Sequence, residues 1–118
     1  MTAKDDPSPG SGAERRVDER RPYRSTAAVL AGGQEFQVRT IDISRSGMCI
    51  VAAINPPAGL KFRLRMRLDR QPQGAVTLET DVQVVHSVLA RQESGFRIGL
   101  RFTAPSNELL NAVNHFLK

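Results

Sequence analysis

The pattern of apolar and polar residues along this chain consists mainly of short alternating runs, which are cleanest in residues 61–68 and 95–102. In the first run one face takes Phe62, Leu64, Met66 and Leu68, and the other takes Lys61, Arg63, Arg65 and Arg67. In the second run the apolar face consists of Phe96, Ile98, Leu100 and Phe102. Because successive side chains of a strand point to opposite sides of its sheet, both runs predict half-buried strands that share one core.

Three more strands are predicted in the first half of the chain. Residues 27–30 form a short apolar run that ends at Gly32 and Gly33, and residues 36–40 alternate after this turn, as in a hairpin. Residues 48–53 are apolar throughout, which is typical of a central strand that is covered on both faces.

The second half of the chain supplies one long strand and a helix. In residues 75–90 the apolar phase changes at Val84 and Val85, which predicts a bulge. Ser106 can cap a helix in which apolar residues recur at helical spacing, namely Leu109, Leu110, Val113, Phe116 and Leu117. About six short strands and one helix, with no alternation of the two, predict an all-β fold: a six-stranded antiparallel β-barrel with a short C-terminal α-helix.

The N-terminal segment differs from the rest of the chain in composition. Residues 1–19 are rich in Pro, Gly and Ser and have almost no large apolar side chain to offset the entropy of ordering them. We therefore predict a flexible basic tail over residues 1–19 and one barrel domain over residues 20–118.

Composition and charge narrow the class of protein. A chain of 118 residues with 40% hydrophobic and 25% charged residues is typical of one ordinary globular domain. No apolar run approaches the roughly 18 residues that span a bilayer, so we expect a cytoplasmic protein without a membrane partner. The formal charge of +5 is carried mostly by arginine, which favours phosphate or carboxylate ligands with planar, bidentate recognition.

A polar loop between two predicted strands is the main candidate for a binding site. Asp42 and Ser44 lie two positions apart, which in extended geometry places a carboxylate and a hydroxyl on one side. Gly47 can adopt the positive φ of a tight return. Asp and Ser before Gly are also the residues that any strand connection uses to bind its own backbone, so the loop alone does not establish a ligand site.

Catalytic and metal-binding motifs are missing from the sequence. There is no glycine-rich phosphate loop before a helix, no metal-ligand spacing and no nucleophile with a credible base. Cys49 lies in an apolar run and is expected to be a small buried residue. These observations predict a protein that is not an enzyme and holds no metal or cofactor.

The basic face of residues 61–68 admits two interpretations. It could bind nucleic acid, or it could be the solvated face of a strand. We favour the solvated face because no aromatic residues are interleaved with the arginines to stack on bases.

Two polar motifs together resemble those of the PilZ family. Residues 20–24 match its RxxxR motif through Arg20 and Arg24, and residues 42–47 match its [D/N]xSxxG motif through Asp42, Ser44 and Gly47. The two motifs occur in order and in an all-β context. The resemblance implies a six-stranded barrel that acts as a receptor for the bacterial second messenger cyclic di-GMP.

The chemistry of the motif residues suits that ligand. Arginine forks match phosphodiesters and the O6 and N7 acceptors of guanine, while a carboxylate matches the N1 and N2 donors. The resemblance implies as ligand-binding residues Arg20, Arg21, Arg24, Asp42, Ser44 and Gly47.

The arginine-rich arm before the first predicted strand, residues 15–24, suggests how binding could become a signal. Its arginines repel one another and few apolar residues hold it on the barrel, so we expect the ligand to order the arm and to create a surface for a downstream effector protein. The alternative is a PilZ-like protein-interaction scaffold that does not respond to nucleotide.

Overall fold

A computed structural model describes residues 19–70 and 74–118, with the exception of the Arg70 side chain. Most of the predicted N-terminal tail, residues 1–18, lies outside this range. Seven strands are present, followed by one helix. They are β1 (Arg21–Pro22), β2 (Thr26–Ala31), β3 (Gln34–Ile43), β4 (Gly47–Ala52), β5 (Lys61–Arg70), β6 (Gly74–Ala90), β7 (Gly95–Phe102) and α1 (Asn107–Leu117), with a 3-10 turn at Arg91–Glu93 between β6 and β7.

Six of the strands close into an antiparallel barrel, which confirms the predicted fold. Around the barrel the order is β2, β3, β4, β7, β6 and β5, and β5 pairs again with β2. The two-residue strand β1 was not predicted and pairs with the end of β3, where Arg21 lies opposite Ile43 and Pro22 opposite Asp42. β1 therefore extends the pairing of β3 beyond its ladder with β2, which begins at Thr26 and Arg39.

The alternating runs place their side chains as predicted. Leu64, Met66 and Leu68 are buried, whereas the arginines between them are exposed or half-buried. The helix begins at Asn107, where the Ser106 hydroxyl accepts a hydrogen bond from the Leu109 amide, and it buries Leu109, Ala112 and Val113 in the same core. Within residues 19–70 and 74–118, no helix is both long and apolar enough to cross a membrane.

Phe36 is the first apolar residue of the alternating run 36–40, and it is not buried. The residue is 50% exposed, and it pairs with Val29 near the tip of the β2–β3 hairpin. There it lines an apolar pocket together with Ile54 and Leu60. Alternation predicts the face of a strand correctly but does not show where the strand leaves the barrel.

Two irregularities interrupt the ladders. The predicted bulge in β6 is confirmed by a register shift between Val84 and His86. A second shift in β3, between Thr40 and Asp42, was not predicted. As shown below, this second bulge positions the candidate site.

Two arginines of the basic face of β5 are paired with neighbouring carboxylates. The Arg63 guanidinium lies 2.9 Å from Asp81 and 3.2 Å from Glu79, and Arg65 lies 3.1 Å from both Glu79 and Glu35. The two arginines hold the pKa of the Glu79 carboxyl below its ordinary value, through their hydrogen bonds to it. These ion pairs fit the solvated face better than a surface that binds nucleic acid.

Candidate functional site

The loop that joins β3 to β4 is held closed by Ser44. The Ser44 amide donates to the Gly47 carbonyl at 2.8 Å, and the Ser44 hydroxyl accepts from the Gly47 amide at 3.3 Å. Ser44 is fully buried. Sequence reasoning placed Asp42 and Ser44 side by side, but the structure puts the hydroxyl inside the loop, where it binds backbone as in an ordinary strand connection.

Gly47 is required for a reason other than the predicted one. The expectation of a positive φ is wrong, since the positive-φ glycines of the described ranges are Gly32, Gly33, Gly59 and Gly74. A Cβ atom at position 47 would instead lie 1.9 Å from the Leu100 carbonyl oxygen and 2.9 Å from the Arg101 Cα. Gly47 therefore permits the close approach of β4 and β7 at the base of the loop.

The bulge in β3 turns Asp42 to the outside of the barrel. Arg39 lies opposite Val51 and Asp42 lies opposite Cys49, so the shift between Thr40 and Asp42 brings both polar residues to the outer face of the sheet. Without the extra residue, positions 39 and 42 would point to opposite faces. The bulge thus places a cation and a carboxylate on one surface.

An apolar floor lies between these polar residues. Ile41, Cys49 and Val51 form a separate buried cluster on the outer side of β3 and β4. Burial raises the pKa of the Cys49 thiol, and Asp42 raises it further, while Arg97 and Arg20 act in the opposite direction. The structure confirms that Cys49 is buried, and it places this residue beneath the charged groups.

The arm is anchored on the barrel by Tyr23. This side chain is 6% exposed, its hydroxyl donates to the Arg67 carbonyl, and its ring packs edge-on against Phe116 at 5.5 Å between centroids. The Tyr23 amide donates to the Ile41 carbonyl at 2.9 Å. The expectation that little holds the arm is therefore wrong for residues 21–25, because it overlooked the single aromatic residue among the arginines.

The two motif arginines contact different carboxylates. The Arg20 guanidinium lies 2.8 Å from an Asp42 oxygen, which joins the two motifs directly. Arg24 instead lies 3.3 Å from both carboxylate oxygens of Glu93, in the 3-10 turn after β6. Arg21 is half-buried within β1. The structure therefore brings Arg20 and Asp42 together and separates Arg24 from them.

Three charged residues near the site were missed by sequence reasoning. Arg39 donates to the Glu93 backbone carbonyl, and one of its guanidinium nitrogens lies 3.8 Å from the Glu93 carboxylate. Arg97 follows on the same outer face, since it lies opposite Val51 on the other side of β4. The alternation in their strands places Arg39 and Arg97 on the outward face and could have indicated both residues. Only the strand register shows that they flank the same apolar floor.

The charges of this surface do not balance. The four arginines Arg20, Arg24, Arg39 and Arg97 surround the two carboxylates Asp42 and Glu93, so the group has an excess of two positive charges. Among residues 19–70 and 74–118 no three His, Cys, Asp or Glu side chains are arranged to hold a metal ion. The surface is thus suited to an anion with two negative charges and flat apolar parts.

Comparison with protein families gives one match that covers most of the chain. The family model described as the PilZ domain matches residues 14–118. A search of curated proteins finds no match to this chain.

Two solved structures share the fold. The Bacillus subtilis inhibitor of motility, MotI/DgrA, has a TM-score of 0.71 and 16% identity, over 83% of this chain and 47% of that chain. The chain thus spans about half the length of MotI/DgrA. The PilZ domain of Escherichia coli YcgR, solved with cyclic di-GMP, has a TM-score of 0.59 and 16% identity, over 86% of this chain and 87% of that chain. At these identities the likeness is one of fold.

Proposed function

Since the chain belongs to the PilZ domain family, we propose that it is a non-enzymatic receptor that binds cyclic di-GMP on the outer face of β3 and β4. The observation that carries this proposal is the surface around Asp42, where four arginines and two carboxylates leave an excess of two positive charges over an apolar floor. Cyclic di-GMP has two phosphodiester charges and two flat bases, so it complements this surface in charge and in shape.

The motif residues take distinct roles in this proposal. Arg20 and Arg24 bind phosphodiester or guanine acceptors, and Arg21 adds positive charge beside them. Asp42, which is held on the surface by the bulge, accepts from the N1 and N2 donors of guanine. Ser44 and Gly47 act mainly by holding the loop that presents Asp42, since one is fully buried and the other lies against β7.

The arginines of the arm are the residues through which we propose that binding becomes a signal. Residues 21–25 already contact the barrel, so we propose that ligand binding exchanges the partners of Arg20 and Arg24 and orders these two side chains rather than the backbone of residues 21–25. The resulting surface of arm, ligand and barrel would be read by a downstream effector protein in the cytoplasm. Neither a membrane nor nucleic acid is required by this scheme.

One observation favours the alternative of a scaffold that does not respond to nucleotide. Both motif arginines have carboxylate partners within the protein, so neither needs a ligand to compensate its charge. The two candidates differ in one measurable property, which is binding of cyclic di-GMP.

Calorimetric titration with cyclic di-GMP tests the proposal. We expect micromolar or tighter affinity for the parent protein, and about ten- to hundredfold weaker binding for Arg20→Ala, which loses one charge-assisted contact. Arg63→Ala is the matched control, because it removes the same charge from the face of β5 and should bind like the parent. No heat from the parent protein would support the scaffold, and equal losses in the two variants would place the site elsewhere.

A further inference from the structure

The 3-10 turn between β6 and β7 brings a carboxylate to the edge of the candidate site. Glu93 ends this turn, and its side chain is 16% exposed, whereas those of Arg24 and Arg39 are 60% and 53% exposed. Ser94 follows with a φ of 59°, and it is the one non-glycine residue with positive φ in residues 19–70 and 74–118. Such a conformation is costly outside glycine, so the turn that presents Glu93 is held in place by its surroundings.

The two arginines around Glu93 form an anion position. Arg24 contacts both carboxylate oxygens at 3.3 Å, and Arg39 approaches the same carboxylate at 3.8 Å. A single carboxylate faces two guanidiniums, which leaves one positive charge uncompensated. A phosphodiester has the charge of a carboxylate and also offers two oxygens to arginine forks, so it can replace Glu93 between the two arginines.

This anion position belongs to the same surface as Asp42. Arg39 and Asp42 both face outward from β3, on either side of the bulge, and their partners on β4 are Val51 and Cys49 of the apolar floor. Arg39 and Asp42 are three positions apart along β3, which corresponds to roughly 10 Å. A ligand that contacts Asp42 with one guanine can therefore reach Arg39 with the phosphodiester beside its other guanine.

We propose that Arg39 is a further ligand-binding residue and that Glu93 occupies, in the free protein, the anion position that Arg24 and Arg39 form. The inference rests on the proposed function and goes beyond it. Binding of cyclic di-GMP must displace Glu93 from both arginines, so Glu93 lowers the affinity and sets the ligand concentration to which the receptor responds. A residue outside both motifs thereby tunes the site.

Calorimetric titration of charge-matched variants with cyclic di-GMP tests this proposal. Glu93→Gln keeps the shape of the side chain but loses its charge, and we expect about three- to tenfold tighter binding, in line with the modest strength of exposed ion pairs. Glu108→Gln removes the same charge from the first turn of α1 and should bind like the parent. Arg39→Ala should bind about tenfold more weakly, and Glu93→Gln should give no gain when Arg24 and Arg39 are both changed to Ala.

Each other outcome has a defined meaning. Unchanged or weaker binding by Glu93→Gln would overturn the proposal, because Glu93 would then orient the arginines rather than compete for them. Parent-like binding by Arg39→Ala would remove Arg39 from the site. Failure of the parent and of every variant to bind would refute the proposed function itself. Thermal unfolding of each free variant checks its fold, and Glu93→Ala, which also removes the charge and should also bind more tightly than the parent, replaces Glu93→Gln if that variant is unstable.

Discussion

Gly47 is a residue whose importance depends on packing rather than on backbone torsion. The missing Cβ allows the Leu100 carbonyl to approach, and backbone atoms cannot move aside as a flexible side chain can. We expect Gly47→Ala to lower the free energy of unfolding by about 2 to 3 kcal/mol or more. Denaturant unfolding, followed by circular dichroism, measures this change.

Gly32 offers a matched control for that measurement. It has a φ of 59° in the β2–β3 turn, and a Cβ there would meet nothing within 4 Å. Gly32→Ala should therefore lower the free energy of unfolding only by the cost of a left-handed conformation for alanine, about 1 to 2 kcal/mol. If Gly47→Ala cost no more than Gly32→Ala, the contact with β7 would not be the constraint.

Asp42 should determine which base the site prefers. A carboxylate repels phosphate and rewards only a pair of base donors, whereas arginine attracts any phosphate. We expect Asp42→Ala to reduce the ratio of affinities for cyclic di-GMP and cyclic di-AMP by about five- to a hundredfold. The ratio is the better measure, because Arg20 loses its partner in this variant and can bind either nucleotide more strongly. An unchanged ratio would show that Asp42 pairs with Arg20 but does not select the base.

The roles of single residues were predictable only in part. The sequence predicts Asp42, Ser44 and Gly47 in one loop, whereas the structure places Asp42 in β3 and Gly47 at the start of β4 and joins Ser44 to Gly47 by hydrogen bonds. The sequence did not show that the Asp42 carboxylate is exposed and the Ser44 hydroxyl buried, because that difference depends on the bulge in β3. Arg39 and Glu93 lie outside both motifs, and their proximity is a product of tertiary folding.

At the scale of elements, β1 depends on the anchor that follows it. Arg21 and Pro22 make a ladder of two residues, which is too short to be stable alone, and Tyr23 supplies the buried contact that holds it. The sequence predicted an extended arm but not its pairing with β3. The pairing partner lies about twenty residues further along the chain, and its register follows from the barrel rather than from the arm.

The hydroxyl of Tyr23 gives this anchor a pH dependence. Burial raises the pKa of Tyr23 above its ordinary value of 10.0, while its hydrogen bond to Arg67 acts in the opposite direction. The unfolded chain therefore loses this proton at lower pH than the folded protein does. The contribution of Tyr23 to the free energy of unfolding is fully present below pH 10.0, and it falls as the pH rises through the raised pKa of the folded protein.

Tyr23→Phe should remove this dependence. We expect the variant to be about 1 kcal/mol less stable at neutral pH, through the lost hydrogen bond to Arg67. Above about pH 10 the difference from the parent should shrink. The chain has one tyrosine and no tryptophan, so tyrosinate absorbance follows this residue alone. A difference that stays constant with pH would show that the hydroxyl ionises equally in both states.

For the whole molecule, closure of the barrel explains both what the sequence predicted and what it did not. Alternation, turn residues and the apolar run of β4 indicated six strands and a helix, and all are present. Closure requires β5 to pair with β2 and β4 with β7, and these long-range pairings create the outer surface on which the candidate site lies. Local patterns contain no information on such pairings.

Closure also limits how the proposed receptor would transmit a signal. Because β1 and Tyr23 contact the barrel in the free protein, a ligand changes the partners and the charge of the surface more than the path of residues 21–25. An effector that distinguishes the two states must therefore contact the ligand or the side chains of Arg20 and Arg24. If cyclic di-GMP raises the affinity of the protein for that effector by some factor, then by linkage the effector raises the affinity of the protein for cyclic di-GMP by the same factor.

Amide exchange of the arm tests this picture of the whole molecule. The Tyr23 amide donates to Ile41 at 2.9 Å, and the Ser25 amide donates to the Thr40 hydroxyl at 2.8 Å, so both should be protected in the free protein. We expect cyclic di-GMP to change their exchange rates little, while the NMR signals of the Arg20 and Arg24 guanidiniums shift. Arg45 serves as a control, because its guanidinium donates to Asn114 on α1 and not to Asp42 or Glu93. Rapid exchange of Tyr23 and Ser25 without ligand, followed by protection on binding, would instead show that the ligand orders the arm as a whole.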